Sequence, residues 1–278
     1  MEEQGIQTSE NSKYVLGNSE QILNKLATRT LQQEAQFLTP FLAANQTILD
    51  AGCGIGSITR DVALFSSSSE VHGIDFDQTQ ILQAQQAALD AGANNTHFSC
   101  QSITKLNFPD NFFDIVFAHT VFMHLPEPQK AMNELYRVCK PSGVIALREG
   151  VGSLEHFPSI TIGPKKISLS QLLSDVLTQS EGTPDIGLRL KGLVHNSGFK
   201  QIQFSAQAVS YQTQAELQQL QSWYTSLILG RTGELALKHN LISNEDLATL
   251  VGQINDLPYD TSAVSIAIWG ELTARKED

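Results

Sequence analysis

Cysteine is scarce in this chain of 278 residues, and the three that occur, Cys53, Cys100 and Cys139, lie far apart. They form no CxxC pair and their number is odd, so the sequence excludes a disulfide framework and a zinc site built on thiolates. We interpret them as small buried side chains. The sequence as a whole predicts no metal site.

Long apolar runs are also missing. No stretch approaches the roughly 18 consecutive apolar residues that a membrane-spanning helix needs. The first four residues include two glutamates and no basic residue, whereas a secretion signal would begin with basic residues. We therefore expect a cytoplasmic protein without a membrane partner.

Basic residues are outnumbered by acidic ones. The 18 Lys and Arg residues face 29 Asp and Glu residues, which gives a formal net charge of −11. Such a charge repels a phosphate backbone unless a basic patch is concentrated locally, and the longest basic runs are the pairs Lys165-Lys166 and Arg275-Lys276. We expect no nucleic-acid partner, and the chain is either a monomer or a homodimer.

Short apolar runs alternate with helical patterns between residues 47 and 149. This alternation predicts repeated βα units, and therefore an α/β fold with a mainly parallel sheet. A first helix is predicted to begin at residues 18–21, and a turn at 141–143 should precede the fifth strand. The predicted strands are 47–50, 70–75, 97–100, 114–118, 144–147, 201–206 and 263–269.

Nearly sixty residues separate the last two predicted strands, which is too long for a simple connection. Apolar spacing predicts three helices there, at 214–229, 233–240 and 243–254. We interpret them as a cap over the carboxyl ends of the strands, where open α/β sheets bind ligands; a helical layer or dimer surface without substrate contact is the alternative. The predicted organisation is a flexible segment (1–17), a core (18–206), the cap (207–262), and a last strand with a tail (263–278).

A glycine-rich loop follows the first strand, with Asp50 before it and glycines at Gly52, Gly54 and Gly56. Glycine lets a ligand approach the backbone, and the following helix offers free N–H groups. A dinucleotide fingerprint would place its third glycine at position 57, which is Ser57. The spacing therefore disfavours a dinucleotide.

Charge favours S-adenosylmethionine as the ligand of this loop. Asp50 would repel a pyrophosphate but attract the ammonium and sulfonium groups of S-adenosylmethionine. We expect Asp50 to act at the amino-acid end of that cofactor. Asp75, which ends the second strand, is placed to accept bonds from both ribose hydroxyls, and Phe76 to pack against the adenine.

At this point the chain resembles the class I S-adenosylmethionine-dependent methyltransferases, particularly the ubiquinone/menaquinone-biosynthesis-like branch. The resemblance runs from about residue 13 to 204 and is carried by residues 49–56, 112–116 and 137–143. It implies a Rossmann-like seven-stranded, mainly parallel sheet with helices on both faces and an antiparallel last strand. Ser102 stands where the family usually has an aspartate facing the adenine amino group, and the N–H of Ile103 is expected to serve adenine N1.

Candidate residues for the methyl acceptor lie beyond the cofactor loop. His119, ending the fourth strand, is the best placed proton acceptor, and His124 is a second candidate that could instead organise its loop. The resemblance implies that Tyr14 closes over the cofactor methyl group. Further substrate contacts are predicted for Glu149, His156, Trp223 and Tyr224. The alternatives are a solvated or capping carboxylate for Glu149, solvent exposure for His156, and core packing for Trp223 and Tyr224.

These observations predict an S-adenosylmethionine-dependent methyltransferase that acts on an oxygen, nitrogen, sulfur or carbon atom of a small molecule. A protein or nucleic-acid methyltransferase is a weaker hypothesis because of the acidic charge. A non-catalytic protein that binds the cofactor is a third, since fold alone does not imply turnover.

Overall fold

The computed structural model describes residues 14–17, 19–154, 161–162 and 167–277. Its main sheet contains seven strands: β1 (Thr47–Ala51), β2 (Glu70–Asp75), β3 (Thr96–Cys100), β4 (Phe113–His119), β5 (Cys139–Gly150), β8 (Lys200–Tyr211) and β9 (Ser265–Arg275). A short hairpin pairs β6 (Thr161–Ile162) with β7 (Ile167–Ser168).

The strand order is β3-β2-β1-β4-β5-β9-β8. The first five strands pair in parallel, whereas β9 is antiparallel to both of its neighbours. The predicted α/β fold, with a mainly parallel seven-stranded sheet and an antiparallel last strand, is confirmed.

Helices flank the sheet and form an additional layer. In the described ranges they are α1 (Glu20–Ala27), α2 (Leu31–Glu34), α3 (Ser57–Phe65), α4 (Gln78–Asp90), α5 (Pro128–Val138), α6 (Leu169–Gln179), α7 (Ile186–Asn196), α8 (Gln214–Leu229), α9 (Arg231–Lys238) and α10 (Asn244–Asp256). Short 3-10 helices occur at Gln36–Phe41, Phe122–His124, Gly152–Leu154 and Leu257–Tyr259. Across these same residues, no helix combines the length and the apolar character needed to cross a membrane.

Side chains cap the helices where the sequence predicts starts. Ser19 accepts a bond from the N–H of Ile22 at the start of α1, and Asp77 accepts from Thr79 and Gln80 at the start of α4. Thr213 and Glu216 form a reciprocal capping box at the start of α8. Each cap satisfies backbone donors that a helix end leaves unpaired.

Three apolar clusters hold these elements together. One face of the sheet packs against α3, with Ile48, Ile58 and Phe117 in its core. The other face packs against α5 and α7. The third cluster joins α1 and α6 to the three helices between β8 and β9, so that these helices pack against the amino-terminal segment as well as against one another.

The structure differs from the sequence-based expectations in several places. The segment between β5 and β8, for which no helix was predicted, contains α6 and α7. Residues 141–143 continue β5 instead of forming a turn before it, with Ser142 at a φ of 62°. The last strand, predicted at 263–269, spans Ser265–Arg275. Strand β8 extends to Tyr211, beyond the predicted core boundary at 206.

Candidate active site

The carboxyl ends of β1, β2 and β4 meet at a cavity of about 270 Å³. Strand β1 lies between the other two, so the residues that follow these strands converge at one edge of the sheet. Open α/β sheets bind their ligands at this kind of position, where the strand order reverses.

The glycine loop forms one wall of the cavity. The N–H groups of Gly52 and Cys53 both donate to the carbonyl of Ile74 at 2.8 Å, which ties the loop to the end of β2. Gly52 has a φ of 83°, and a Cβ at this position would collide with Val121. The position requires glycine both for its backbone conformation and for the close approach of Val121.

Asp50 is buried at the base of this wall. Its carboxylate accepts a 2.6 Å bond from the hydroxyl of Thr59 on α3. Burial, with a contribution from the negative charge of Asp75, raises the pKa of Asp50 to about 7. A cation placed in the cavity would favour the ionised form and lower that pKa.

Asp75 lies across the cavity at the end of β2. Its two oxygens accept bonds from the N–H groups of Gly54 at 2.9 Å and Asp77 at 3.0 Å, which fix the carboxylate in place. Burial raises its pKa to about 6 although these bonds act in the opposite direction. Each carboxylate oxygen has a further lone pair for a ligand hydroxyl.

The remaining cavity wall is partly aromatic. Phe76, Ser102 and Ile103 line it, as does Tyr14, whose ring meets that of Phe76 edge-on at 6.0 Å. Burial raises the pKa of Tyr14 far above its ordinary value, so the phenol stays neutral. These four residues form a mixed apolar and hydroxyl-bearing wall.

A second cavity, of about 620 Å³, adjoins the first. Leu16, Arg29, Thr120 and His124 line both, so they mark the junction. The second cavity lies between the sheet and the helical layer, and four aromatic side chains contribute to its wall: Tyr211, Trp223, Tyr224 and Trp269.

His119 lies beside this junction. Its Nε2 is 3.3 Å from a carboxylate oxygen of Glu34, its Nδ1 is 3.2 Å from the hydroxyl of Thr120, and its ring stacks on Trp269. Burial and the positive charge of Arg29 lower the pKa of His119 to about 4, despite the opposing influence of Glu34. The imidazole is therefore neutral at neutral pH and able to accept a proton.

Glu34 is held by Arg148. A guanidinium nitrogen of Arg148 donates to the Glu34 carboxylate at 2.9 Å, and the guanidinium lies 4.6 Å above the ring of Trp269. Burial alone would raise the pKa of Glu34, but His119 and Arg148 hold it at about 2. Glu34 is thus ionised and positioned against the imidazole.

Residues 42–186 match the family model described as "Methyltransferase domain", which is just over half of the chain. This chain belongs to that methyltransferase domain family. The match includes the glycine loop, Asp50, Asp75 and His119, and it ends at the start of α7.

Three fungal proteins are among the curated relatives of this methyltransferase domain. The protein named "Probable methyltransferase ltbC" of Aspergillus luteorubrus is 37% identical over 54% of this chain and 55% of its own. An uncharacterised methyltransferase of Schizosaccharomyces pombe is 33% identical over 64% of this chain and 66% of its own. The sterol 24-C-methyltransferase ERG6A of Gibberella zeae is 28% identical over 56% of this chain and 39% of its own. The chain spans between about two fifths and two thirds of the length of these relatives.

Solved structures share the fold. The phosphoethanolamine N-methyltransferase 2 of Haemonchus contortus, in complex with phosphomonomethylethanolamine and S-adenosylhomocysteine, superposes with a TM-score of 0.57 over 89% of this chain and 53% of that one. The sequence identity is 20%, so this likeness concerns the fold, which is the Rossmann-like methyltransferase fold.

The structure places most of the predicted site residues around the two cavities. Asp50, Gly52, Gly54, Asp75, Phe76, Ser102, Ile103, His119, His124 and Tyr14 line the first, and Trp223 and Tyr224 line the second. Of the glycines in the loop, Gly56 is not part of the described cavity wall; a Cβ there would press on Phe98 and Ala84, so it serves packing. His156 lies outside the described residues.

His124 packs edge-on against Tyr14 with 5.2 Å between ring centroids. Its Nδ1 is buried and has no hydrogen-bond partner among the described residues. Burial lowers the pKa of His124 to about 4. The ring therefore lies at the junction as a neutral group, in contact with the aromatic wall of the first cavity.

The prediction that Glu149 orients a substrate does not fit its position. Its side chain is fully buried, belongs to neither described cavity wall, and accepts bonds from the N–H groups of Val121, Phe122 and Met123. Burial raises its pKa to about 7. Glu149 caps the short 3-10 helix that leads from His119 to His124, which is the capping alternative for this carboxylate.

Sequence analysis missed Arg29, Glu34, Arg148 and Trp269. Arg29 lines both cavities and donates to the hydroxyl of Thr120 at 3.2 Å. Arg29 and Glu34 lie in short segments without a motif, so no pattern identified them. Arg148 did carry a signal, since an arginine directly follows the buried run of β5 at the same edge of the sheet as His119.

Proposed function

We propose that this chain is an S-adenosylmethionine-dependent methyltransferase that acts on a small molecule held in the second cavity. The observation that carries the proposal is the pair of buried carboxylates, Asp50 and Asp75, on either side of a glycine loop whose cavity opens into a larger one. The residues fit the cofactor because burial raises the pKa of both carboxylates, and a cation or further hydroxyl donors in the cavity would stabilise their ionised forms. The glycine conformation keeps the wall open.

Asp75 binds the ribose hydroxyls, and Phe76 packs against the adenine beside Ser102 and Ile103. Asp50, together with Thr59, receives the ammonium group. Bound S-adenosylmethionine supplies a methyl group on a cationic sulfur. The protein contributes alignment of the acceptor with that methyl group and exclusion of water, which are the main requirements of an in-line displacement.

His119 accepts the proton of an oxygen or nitrogen acceptor. As the bond between the acceptor atom and the methyl carbon would form and the bond between carbon and sulfur would break, the acceptor proton would pass through the hydroxyl of Thr120, which lines both cavities, to Nδ1 of the neutral imidazole 3.2 Å away. Glu34 orients the imidazole and stabilises it once it is protonated, in the manner of a carboxylate behind a catalytic histidine.

The acceptor proposed for this site is a flat, largely apolar molecule. Four aromatic rings contribute to the wall of the second cavity, and a volume of about 620 Å³ suits a molecule of two or more fused rings. The resemblance to the ubiquinone/menaquinone branch favours a phenol-like or quinol-like ring, and the likeness to a sterol 24-C-methyltransferase also favours a multi-ring acceptor. We further propose that nucleic acid is not a substrate, given the net charge of −11.

Isothermal titration calorimetry with S-adenosylhomocysteine tests the cofactor assignment. We expect one molecule bound per chain, and no binding of nicotinamide or flavin nucleotides. Transfer of a labelled methyl group to a panel of phenolic, amine and sterol-like acceptors tests the activity. Tight binding of S-adenosylhomocysteine without any transfer would favour the non-catalytic hypothesis, and preference for a nicotinamide or flavin nucleotide would contradict the proposal.

A further inference from the structure

A cluster of possible metal ligands lies on the outer part of the sheet, where β3 is the edge strand. His72 on β2 pairs in register with His97 on β3, and their imidazoles stack with 4.9 Å between centroids. Glu70 precedes His72 by two residues and so lies on the same face of β2. Its carboxylate is 4.0 Å from Nε2 of His72.

His72 has an unpaired nitrogen. Three phenylalanines, Phe108, Phe112 and Phe113, surround its ring with centroids 5.4 to 5.8 Å away, yet its buried Nε2 has no hydrogen-bond partner within the described part of the chain. Buried polar atoms are nearly always paired, and an exception calls for an explanation such as an ion or a water molecule. This nitrogen lies beside a carboxylate and a second imidazole, which is the arrangement that a cation would complete.

We propose that Glu70, His72 and His97 bind a divalent transition-metal ion, with zinc as the preferred occupant. One ligand atom from each residue lies within 4.8 Å of the others. Bonds of about 2.0 to 2.1 Å to a tetrahedral zinc ion need ligand separations of roughly 3.4 Å. Glu70 and His97 are exposed, so their side chains are able to move closer and shorten the separations between ligand atoms from up to 4.8 Å to the value that zinc needs.

The donor set selects the class of metal. Two imidazoles and one carboxylate suit zinc, nickel or copper, whereas magnesium and calcium prefer all-oxygen sites. Three protein ligands leave a fourth position for water or for an exogenous group.

The ion would link the edge strand to the strand that carries Asp75. Because β2 runs from Glu70 to Asp75, a bridge between β2 and β3 would restrain the element that presents this carboxylate to the first cavity. The site is outside both cavities, so its existence does not depend on methyl transfer. Sequence spacing did not indicate it because two of the ligands meet only through strand pairing.

Titration calorimetry with zinc chloride in a metal-free buffer tests the proposal on the full chain. We expect one ion per chain, at least tenfold weaker binding in His97→Ala, and weaker binding in Glu70→Gln. His195→Ala, which removes an exposed histidine on α7, is the matched control and should bind as the parent does. Affinity for S-adenosylhomocysteine reports that each variant is folded.

Cobalt(II) offers a second readout. A tetrahedral nitrogen and oxygen site gives a visible absorption spectrum without a thiolate charge-transfer band, and this spectrum should be lost in His97→Ala. Absence of stoichiometric zinc binding to the parent protein would overturn the proposal. Unchanged zinc affinity in His97→Ala, or a cobalt spectrum dominated by thiolate, would overturn it equally.

Discussion

The carboxylate of Glu34, the last residue of α2, lies 3.3 Å from Nε2 of His119, the last residue of β4. Arg148 holds the same carboxylate from the neighbouring strand at 2.9 Å. A neutral imidazole thus faces an ionised carboxylate that has its own cationic partner. This relationship defines the proposed proton acceptor and explains why its environment includes residues from outside the matched family segment, which begins at residue 42.

Replacing His119 with Asn is expected to lower kcat by roughly 100-fold or more, because a positioned base contributes about that factor. Affinity for S-adenosylhomocysteine should change by less than about twofold, since the imidazole removes a proton and does not hold the cofactor. Steady-state kinetics and calorimetry together measure both quantities. Normal turnover in the variant would exclude His119 from proton transfer.

Glu34→Gln is expected to lower kcat by about tenfold, because the amide no longer stabilises a protonated imidazole. Glutamine retains an oxygen that accepts from Arg148, so the buried guanidinium is not left unpaired. The exposed Glu245→Gln on α10 is the control and should behave as the parent. Equal kcat in the two variants would contradict the orienting role of Glu34.

Asp75→Asn is expected to weaken S-adenosylhomocysteine binding by roughly 100-fold. Two bonds from ribose hydroxyls to an ionised acceptor would become bonds to a neutral amide, and charged hydrogen bonds are each worth about 1.5 to 3 kcal/mol. Calorimetry checks this value, with the exposed Asp90→Asn on α4 as the matched control. Unchanged affinity in Asp75→Asn would refute the ribose assignment.

Affinity for S-adenosylhomocysteine is expected to fall as the pH falls. Burial raises the pKa of Asp50 to about 7 in the free protein, so at pH 6 most molecules must release a proton before Asp50 pairs with the ammonium group. The protonation of Asp50 alone predicts that the affinity for S-adenosylhomocysteine is roughly tenfold weaker at pH 6 than at pH 8. Calorimetric titrations across this range measure it.

Asp50→Asn provides the comparison for the pH titration. The variant has no proton to release at this position, so its affinity should be weaker but less dependent on pH than that of the parent. The titration of the ligand's own ammonium group is common to both proteins and cancels in the difference. Identical pH profiles would show that Asp50 does not contact the cofactor's amino group.

Gly52→Ala is expected to lower the free energy of unfolding by about 3 kcal/mol, since it combines a strained positive φ with a collision against Val121. Gly92→Ala has a similar φ of 72° but no atom within 4 Å of its new Cβ, so it should lose only about 1 kcal/mol. Urea unfolding compares the two. Equal losses would mean that Val121 moves away without cost.

Trp223→Ala is expected to raise the KM for the acceptor by about tenfold while leaving the affinity for S-adenosylhomocysteine unchanged, because Trp223 lines only the second cavity in the described structure. Leu229→Ala on the same helix removes an exposed side chain and serves as the control. A change in cofactor affinity with an unaltered KM would contradict the assignment of this cavity to the acceptor.

Much of the core was predictable because its elements carry strong local patterns. Strand β2 and helix α8 have the predicted bounds. Apolar side chains also occur on the outer faces of the helices, where Phe65 and Leu89 are 59% and 66% exposed. A helix has more apolar positions than its packed face uses, and only the neighbouring elements decide which are covered.

The carboxylates at the ends of β1 and β2 and the glycine spacing are local properties, so the sequence alone determined the fold class and the chemistry of the first cavity. Contacts between distant segments are not encoded in any short motif. Tertiary packing therefore decided that Glu34 and Arg148 lie next to His119. It also decided that the carboxylate of Glu149 accepts hydrogen bonds from three backbone N–H groups and does not face a ligand. The physical reason is that strand order and helix docking, which bring these groups within bonding distance, depend on the whole core rather than on the residues themselves.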